Sequence, residues 1–391
     1  MRSFQRIICI VLDGVGVGEA PDAASFGDAG SNSLGNTARH VGALRLPTLE
    51  RMGLGNIIAI EGVGPTNSPQ AFHGKMIPVA VGKDSTSGHW ELMGCVLDEA
   101  FPVYPGGFPD RVIAAFESKI GRSVIGNKPA SGTAIIEELG REHMRSGNPI
   151  VYTSQDSVFQ IAAHESVIPL NELYRFCETA RSLLVPPDNV CRVIARPFLG
   201  EPGGFYRTGG RKDYSLKPVK RTVLDALVEN GQSVLAIGKI DDLFAGQGIT
   251  HSIPTKSNRE GMDATLDAVR SGDAPFVFTN LVDFDTMWGH RNDPRAYALG
   301  LEEFDSYLGQ LVRALTGDSL VVITSDHGTD PTTPSTDHSR EYVPLLVYHK
   351  AIQKAASLGT RASFADVGRT VADNFGLDAE FPGCGFLREV A

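Results

Sequence analysis

The sequence predicts an α/β fold with a mainly parallel sheet covered by helices on both faces, and three features indicate it. Candidate strands and helices alternate from residue 218 to 324, a pattern typical of parallel strands joined by helical crossovers. The candidate strands at 6–12 and 320–324 are continuously apolar, as expected for strands covered on both faces. A stretch from 100 to 215, bounded by proline- and glycine-rich segments, interrupts the alternation and predicts an inserted small α/β domain.

The first hundred residues predict two strands, each followed by a polar turn. Strand 6–12 runs into Asp13, and Pro47 suits the first turn of a helix. A second strand is predicted at 76–81, directly before the segment KDSTSGHWE. We expect a helix after Gly88, which would place the hydroxyl groups of this segment at a strand-to-helix turn.

Hydrophobic spacing predicts the remaining elements. Within the insertion we expect strands at 151–153, 159–161 and 192–194 and a helix near 171–184. After it we expect helices at 218–230, 262–270 and 294–315 and strands at 233–237, 276–281 and 320–324. We therefore predict a discontinuous catalytic core domain of residues 1–99 and 216–391, with a cap domain of residues 100–215 inserted into it.

Composition excludes several classes of protein. The 391 residues carry a net charge of -10, which argues against nonspecific binding to nucleic acid. No apolar run approaches the roughly 18 residues of a membrane span, and the N-terminal apolar run is too short for a signal segment. The five cysteines form no CxxC pair, so the sequence favours a reducing cytoplasm. We expect no nucleic-acid, membrane or obligate protein partner.

Acidic and histidine side chains cluster just after three predicted strands. Imidazole and carboxylate together suit divalent ions such as zinc, manganese or iron. Sites in parallel sheets lie at the carboxyl ends of the strands, so these groups are expected to converge. The alternative for each alone is a turn former or a helix cap. The candidate metal ligands are Asp13, Asp285, His290, Asp326, His327 and His338.

Two common nucleotide-binding motifs are absent from the sequence. The glycines at 14, 16 and 18 resemble the start of a dinucleotide-binding loop, but the position of its third glycine is Glu19. No G-x4-G-K-[ST] segment occurs, which excludes a P-loop.

Ser85 is the candidate nucleophile. Hydroxyl groups at the start of a helix meet free backbone N–H groups that favour a bound phosphate. Metal coordination activates a serine hydroxyl, and two metals about 3.5–4 Å apart can clamp an in-line displacement at phosphorus. The alternative is an N-cap serine with solvated neighbours. Together with the six candidate ligands, Ser85 predicts a two-metal phosphoryl-transfer centre.

The inserted stretch supplies basic groups that the acidic chain otherwise lacks. Guanidinium groups bind phosphate in a bidentate manner. The candidates are Arg192, Arg196, Arg207, Arg211 and Lys212. The segment 154–157 offers groups for sugar hydroxyls, or forms a turn. Lys239, after strand 233–237, is a further phosphate candidate.

Several motifs together resemble bacterial phosphopentomutases of the alkaline phosphatase superfamily, in order and over essentially the whole chain. They are IVLDGVG at 10–16, GKDSTSGHWE at 82–91, FAGQGIT at 244–250, DFD at 283–285 with GHR at 289–291, and TSDHG at 324–328.

The resemblance implies interconversion of ribose 1-phosphate and ribose 5-phosphate, and of the 2-deoxy sugars, with two Mn²⁺ ions or other divalent metals. It implies one metal held by Asp13, Asp326 and His327, and the other by Asp285, His290 and His338. It implies contacts to the sugar phosphate from Ser154, Asp156, Arg192, Arg207 and Lys239. The phosphate-carrying residue matches Ser85; threonine is commoner there in the family, and Thr86 is the neighbouring alternative.

The resemblance further implies a phosphoserine enzyme primed by glucose 1,6-bisphosphate or ribose 1,5-bisphosphate, the latter also being the intermediate. The inserted domain would keep water away from the phosphoserine. Two alternatives remain at this point. One is a metal-dependent phosphatase of the same superfamily, and the other is a binding protein that has lost activity.

Overall fold

The computed structural model describes residues 3–154, 157–377 and 380–391, and its contacts divide the chain into two compact units. The first unit comprises Met1–Glu99 with Pro218–Ala391, and the second is Ala100–Lys217. The second boundary therefore lies two residues after the position 215 predicted from the sequence.

The strands of the described residues follow one another in chain order. They are β1 (Arg6–Leu12), β2 (Phe72–Met76), β3 (Ile125–Pro129), β4 (Ile150–Thr153), β5 (Val158–His164), β6 (Arg192–Leu199), β7 (Tyr206–Arg207), β8 (Lys212–Ser215), β9 (Val234–Ile237), β10 (His251–Ile253), β11 (Phe276–Leu281), β12 (Ser319–Thr324), β13 (Val343–Tyr348) and β14 (Ser357–Arg361).

The α-helices are named in the same way. They are α1 (Ser33–Val41), α2 (Pro47–Met52), α3 (Ser85–Leu92), α4 (Asp110–Ile120), α5 (Gly132–Ser146), α6 (Leu170–Leu183), α7 (Val223–Glu229), α8 (Ile240–Phe244), α9 (Asn258–Ser271), α10 (Pro294–Ala314), α11 (Ala365–Phe375) and α12 (Leu387–Val390). A π-helical turn, Phe284–Trp288, and a 3-10 turn, Gly289–Arg291, follow β11.

The first unit is built on an eight-stranded sheet in the order β10-β9-β11-β1-β12-β13-β2-β14. The five strands from β10 to β12 pair in parallel, and only the pairs that involve β13 are antiparallel. The mainly parallel sheet predicted from the sequence is thus confirmed. Strand β1, the first in the chain, lies between β11 and β12, which come more than 260 residues later.

Helices cover both faces of this sheet because its central strands are apolar on both sides. On one face Ile8, Ile10 and Leu12 pack with leucines of α10 in a single buried cluster. On the other face Phe278 of β11 lies against Phe244 at the end of α8, with ring centroids 6.1 Å apart. The core therefore has two layers, one on each side of the sheet.

Three predicted elements are placed differently in the structure. The strand expected at 76–81 lies earlier, at β2, and the residues after Met76 form an irregular loop. Helix α3 begins at Ser85 and not after Gly88, so the hydroxyl groups occupy its first turn. Helix α7 also begins later than predicted, at Val223, because Thr222 caps it with a capping box.

The second unit contains a six-stranded sheet in the order β3-β4-β5-β6-β7, with β8 paired to β6. Strands β5 and β6 are parallel, with Val158 opposite Arg192, and β4 is antiparallel to β5. The end of β4 and the start of β6 therefore lie at the same edge of the sheet.

Among the helices of the described residues, none is both long and apolar enough to span a lipid bilayer.

Candidate metal and phosphoryl-transfer site

The neighbouring strands β1 and β12 deliver the centre of the site. Asp13 directly follows β1, and Asp326 and His327 follow β12 after one residue. The Ser325 hydroxyl donates to the Leu12 carbonyl oxygen at 2.6 Å and so ties the two strand ends together. The parallel pairing thus places all three functional side chains at one edge of the sheet.

Helix α3 brings the hydroxyl group of Ser85 to this edge. The Asp84 carboxylate accepts from the Ser87 backbone N–H at 3.1 Å and fixes the start of the helix as an N-cap. Gly88 packs so closely on the Asp326 carbonyl that a Cβ at residue 88 would overlap it. Only a glycine there allows α3 to approach Asp326 so closely. Ser85 then lies at the positive end of the helix.

The first group of ligating atoms surrounds the Ser85 hydroxyl. Its Oγ lies 3.3 Å from Oδ1 of Asp13 and 3.1 Å from Nε2 of His327. His327 Nε2 in turn lies 3.2 Å from Asp13 Oδ1 and 3.3 Å from Asp326 Oδ2. All four residues are buried. Three of them, Asp13, Asp326 and His327, offer ligand atoms close enough to hold a single ion.

The second group is centred on Asp285, which the π-helical turn after β11 carries into the site. Its Oδ1 lies 3.3 Å from Nε2 of His290 and 3.3 Å from Nε2 of His338. The rings of His338 and His327 are 4.1 Å apart. Asp285, His327 and His338 also form a set with ligand atoms close enough for one ion, so His327 lies between the two groups.

The donor atoms of both groups suit divalent cations. Asp326 Oδ2 is buried and has no well-directed hydrogen bond from the described residues, although His89 Nδ1 and His327 Nε2 lie 3.1 and 3.3 Å away. His290 Nδ1 donates to the Thr336 carbonyl oxygen at 2.6 Å, and His327 Nδ1 donates to that of Gly328 at 3.0 Å. Such bonds orient a metal-binding imidazole and leave Nε2 toward the metal. The six side chains predicted as metal ligands thus converge on one site.

Burial and charge act on the acidic groups in opposite directions. Burial disfavours a charged Asp326, but His327 and His89 outweigh this effect and hold the pKa of Asp326 at about 2. Burial likewise disfavours a charged Asp285, yet the neighbouring His338 and His290 keep its pKa well below the usual value. Both carboxylates are therefore ionised at neutral pH, as metal ligands must be.

The histidines respond in the complementary way. Burial lowers the pKa of His327, but Asp326 and Asp13 raise it to about 10. Burial also lowers the pKa of His290, but the neighbouring Asp285 carboxylate raises it to about 8. At pH 7 each of these rings therefore carries a second proton in the metal-free site, and that proton must leave when a metal ion binds to the ring.

Metal binding is therefore expected to release protons in a pH-dependent way. At pH 7 both His290 and His327 lose a proton on binding, whereas at pH 9 His290 is already neutral. Calorimetric titration with Mn²⁺ in buffers of different ionisation enthalpy should show release falling by about one proton between pH 7 and pH 9. In His290→Asn this fall should disappear, and a pH-independent release in the unsubstituted protein would contradict the assignment.

The residues predicted to contact sugar phosphate are divided between the two units. In the second unit, Ser154 follows β4 and Arg192 begins β6, at the same edge of the sheet. Asp156 lies outside the described residues. In the first unit, half-buried Lys239 follows β9, whose neighbour β11 leads to Asp285, so Lys239 lies at the same sheet edge as the candidate metal ligands.

Arg207 belongs to a group of arginines in the second unit. Its guanidinium packs on Gly132 at the start of α5, beside the Tyr152 hydroxyl. Arg196 and Arg211 also act electrostatically on Tyr152, whose pKa burial nevertheless raises. The structure thus gathers Arg196, Arg207 and Arg211, while Arg192 lies 3.7 Å from Asp213 Oδ2, the carboxylate that Arg211 also binds.

Sequence reasoning missed residues that hold the loop between His327 and His338. The buried Glu341 carboxylate accepts from the hydroxyls of Ser33 at 2.8 Å and Ser339 at 2.7 Å. Burial raises the pKa of Glu341 to about 7, against the effect of these bonds. Thr329 Oγ1 donates to Asp285 Oδ1 at 3.1 Å and links the loop to the second group.

His89 and Asn280 were missed as well, although both contact the first group of ligands. His89 follows Ser85 by four residues, the spacing that places two side chains on one face of a helix. That spacing is a signal present in the sequence. Asn280 has no such local signal, because its contacts are made across the sheet to Asp13 and to α3.

Comparisons with known proteins agree with this geometry. The family model described as the Metalloenzyme superfamily matches residues 5–379. A phosphopentomutase from Caldanaerobacter subterraneus subsp. tengcongensis is 55% identical over 387 residues, which is 99% of this chain and 98% of the relative. A phosphopentomutase from Dictyoglomus thermophilum is 55% identical over 99% of both chains.

Among solved structures, the PH0037 protein from Pyrococcus horikoshii shares the fold. It has a TM-score of 0.51 at 13% identity and covers 98% of this chain and 100% of its own. The identity and coverage of the curated relatives, together with the family model, settle the classification. The chain belongs to the phosphopentomutase family of isomerases, within the Metalloenzyme superfamily.

Proposed function

We propose that this protein interconverts ribose 1-phosphate and ribose 5-phosphate, and their 2-deoxy equivalents, through a phosphate carried on Ser85. The observation that carries the proposal is the position of Ser85 Oγ, 3.3 Å from Asp13 and 3.1 Å from His327 at the start of α3. A nucleophile at a helix N-terminus and beside a metal site is suited to accept and return a phosphoryl group.

Two divalent cations, which we take to be Mn²⁺, would be held by the two groups of ligands. Asp13, Asp326 and His327 would hold one, and Asp285, His290 and His338 the other. When bound, they supply Lewis-acid stabilisation of the phosphoryl oxygens. His327 belongs to both sets of ligand atoms that lie close enough together for one ion.

The residues of the chain then account for the transfer. In the phosphorylated enzyme the bond between Ser85 Oγ and phosphorus breaks, and a bond forms to the free hydroxyl oxygen of the bound sugar monophosphate. The sugar hydroxyl loses its proton, and the released Ser85 oxygen gains one. The product is a ribose 1,5-bisphosphate. After the sugar reorients, the Ser85 hydroxyl attacks the other phosphorus and releases the isomeric monophosphate.

Arg192 and Arg207 are the arginines that we propose to contact the sugar phosphate. Arg207→Ala is expected to raise the KM for ribose 1-phosphate about tenfold or more, because a charged hydrogen bond to phosphate is lost. Mn²⁺ affinity should not change. Arg145→Ala is a matched control, since Arg145 is exposed near the opposite end of α5 from Gly132. Equal losses of substrate and metal affinity in Arg207→Ala would indicate a structural role.

The decisive test measures two products from ribose 1-phosphate, with and without Mn²⁺ and glucose 1,6-bisphosphate. We expect ribose 5-phosphate to form only when the metal is present, with the bisphosphate increasing the rate and little inorganic phosphate released. Release of inorganic phosphate as the main product would instead support a metal-dependent phosphatase. The high identity to phosphopentomutases along the whole chain favours the isomerase.

A further inference from the structure

A buried histidine that is not among the proposed metal ligands lies directly behind the site. His89 is fully buried in α3, one turn after Ser85. Its Nδ1 lies 2.8 Å from the Ser85 carbonyl oxygen and 3.1 Å from Asp326 Oδ2. One ring nitrogen therefore faces both the backbone of the nucleophile and a carboxylate of the first metal group.

The other ring nitrogen faces Asn280. The Asn280 amide nitrogen lies 3.1 Å from His89 Nε2 and 2.9 Å from Asp13 Oδ2. An amide nitrogen has two protons and only donates, so these two contacts use both of them. The reversed amide would turn its oxygen toward the carboxylate of Asp13, where two acceptors would repel each other.

This orientation fixes the position of the proton on His89. Because Nε2 accepts from Asn280, a neutral ring must carry its hydrogen on Nδ1. That hydrogen is donated to the Ser85 carbonyl oxygen, and it also faces Asp326 Oδ2. We propose that His89 and Asn280 act as one positioning pair that orients Asp13, Asp326 and Ser85 in the first metal group.

The proposal rests on the metal-binding role proposed for Asp13 and Asp326, but not on the identity of the sugar. The alternative is that His89 only fills space against Phe278, whose ring centroid lies 5.8 Å away. An apolar side chain would fill that space without the desolvation of a buried polar group. Asn280 instead donates to the Asp13 carboxylate, and His89 donates to the Ser85 carbonyl oxygen, two groups of the proposed metal site.

Metal affinity tests the pair directly. Calorimetric titration of the full chain with Mn²⁺, without sugar phosphate, should show about 10- to 100-fold weaker binding in both His89→Leu and Asn280→Leu. The double variant should lose less than the product of the two single losses, because each partner acts through the other. His89→Asn should retain more affinity than His89→Leu, since its amide nitrogen can take the place of Nδ1.

Phe278→Leu is the matched control, because it disturbs the same packing without removing a hydrogen bond. We expect it to lower the Tm and to leave Mn²⁺ affinity unchanged. If both leucine variants bind Mn²⁺ within about twofold of the unsubstituted protein, the pair is merely structural and the proposal is wrong. If His89→Leu does not fold, Asn280→Leu decides the question. Failure of the unsubstituted protein to bind Mn²⁺ would instead refute the proposed metal centre.

Discussion

Asp326→Ala is expected to abolish isomerisation while the protein stays folded. The substitution removes a carboxylate whose Oδ2 lies 3.3 Å from His327 Nε2 and 3.1 Å from His89 Nδ1. Only Asp13 and His327 would then remain of the first group. Losing several kcal/mol of stabilisation of the phosphoryl oxygens corresponds to a fall in kcat of at least about a thousandfold.

The measurement is kcat for ribose 1-phosphate at saturating Mn²⁺, with far-UV circular dichroism as the check on folding. Asp337→Ala is the control, because Asp337 is an acidic residue of the same loop whose carboxylate pairs with Lys83 at 3.3 Å and is half exposed. We expect that variant to keep its turnover within a few-fold. Near-normal turnover of Asp326→Ala would rule out the two-metal mechanism.

Ser85→Ala is expected to eliminate both phosphorylation and turnover. The lost hydroxyl is the group that lies next to Asp13 and His327. A water molecule in its place could hydrolyse a phosphate ester but could not hold the phosphate for transfer to a sugar. Removal of a nucleophile that forms a covalent intermediate costs at least about a thousandfold in kcat. Ser85→Thr should retain both properties, because its hydroxyl occupies the same position.

Mass spectrometry after treatment with glucose 1,6-bisphosphate locates the phosphate. The intact protein should gain one phosphate and the peptide that contains Ser85 should carry it there. Thr86→Val, which removes the neighbouring hydroxyl, should be phosphorylated normally. A phosphate found on Thr86 or Ser87 would show that another hydroxyl is the nucleophile.

The sheet and the convergence of the candidate metal ligands could be predicted because both follow from local patterns. Apolar strands that end in Asp13 and in Asp326-His327 must bring these residues to one edge once the strands pair in parallel. Asp285 follows the next strand, β11, by the same logic. The rule on the carboxyl ends of parallel strands therefore predicted that these side chains converge, without any knowledge of the contacts.

The loop before Ser85 shows what local patterns cannot reveal. Its apolar residues predict a strand, but Glu91 accepts the backbone N–H groups of Val79 and Ala80 at 2.7–3.1 Å. Arg340, distant in sequence, donates to the carbonyl oxygens of Pro78, Ala80 and Gly82. Two side chains thus replace the hydrogen bonds of a neighbouring strand, and only the three-dimensional structure shows them.

The same limit applies to His89 and Asn280. The role proposed for them depends on a contact between the Asn280 amide in β11 and the His89 imidazole in α3. These two residues are 191 positions apart in the sequence. Hydrophobic spacing places both side chains in buried elements, where a polar residue is expected to find a partner, but it does not identify that partner.

The position of β1 between β11 and β12 has a consequence for the newly made protein. During synthesis the chain emerges from its N-terminus, so Asp13 and Ser85 leave the ribosome long before Asp326 and His338. Strand β1 cannot form its hydrogen bonds to β11 and β12 until both have been synthesised, because they lie in the last third of the chain. A partly synthesised chain that lacks β11 and β12 also lacks Asp285, Asp326, His327 and His338, so the proposed metal site can form only after most of the chain has been made.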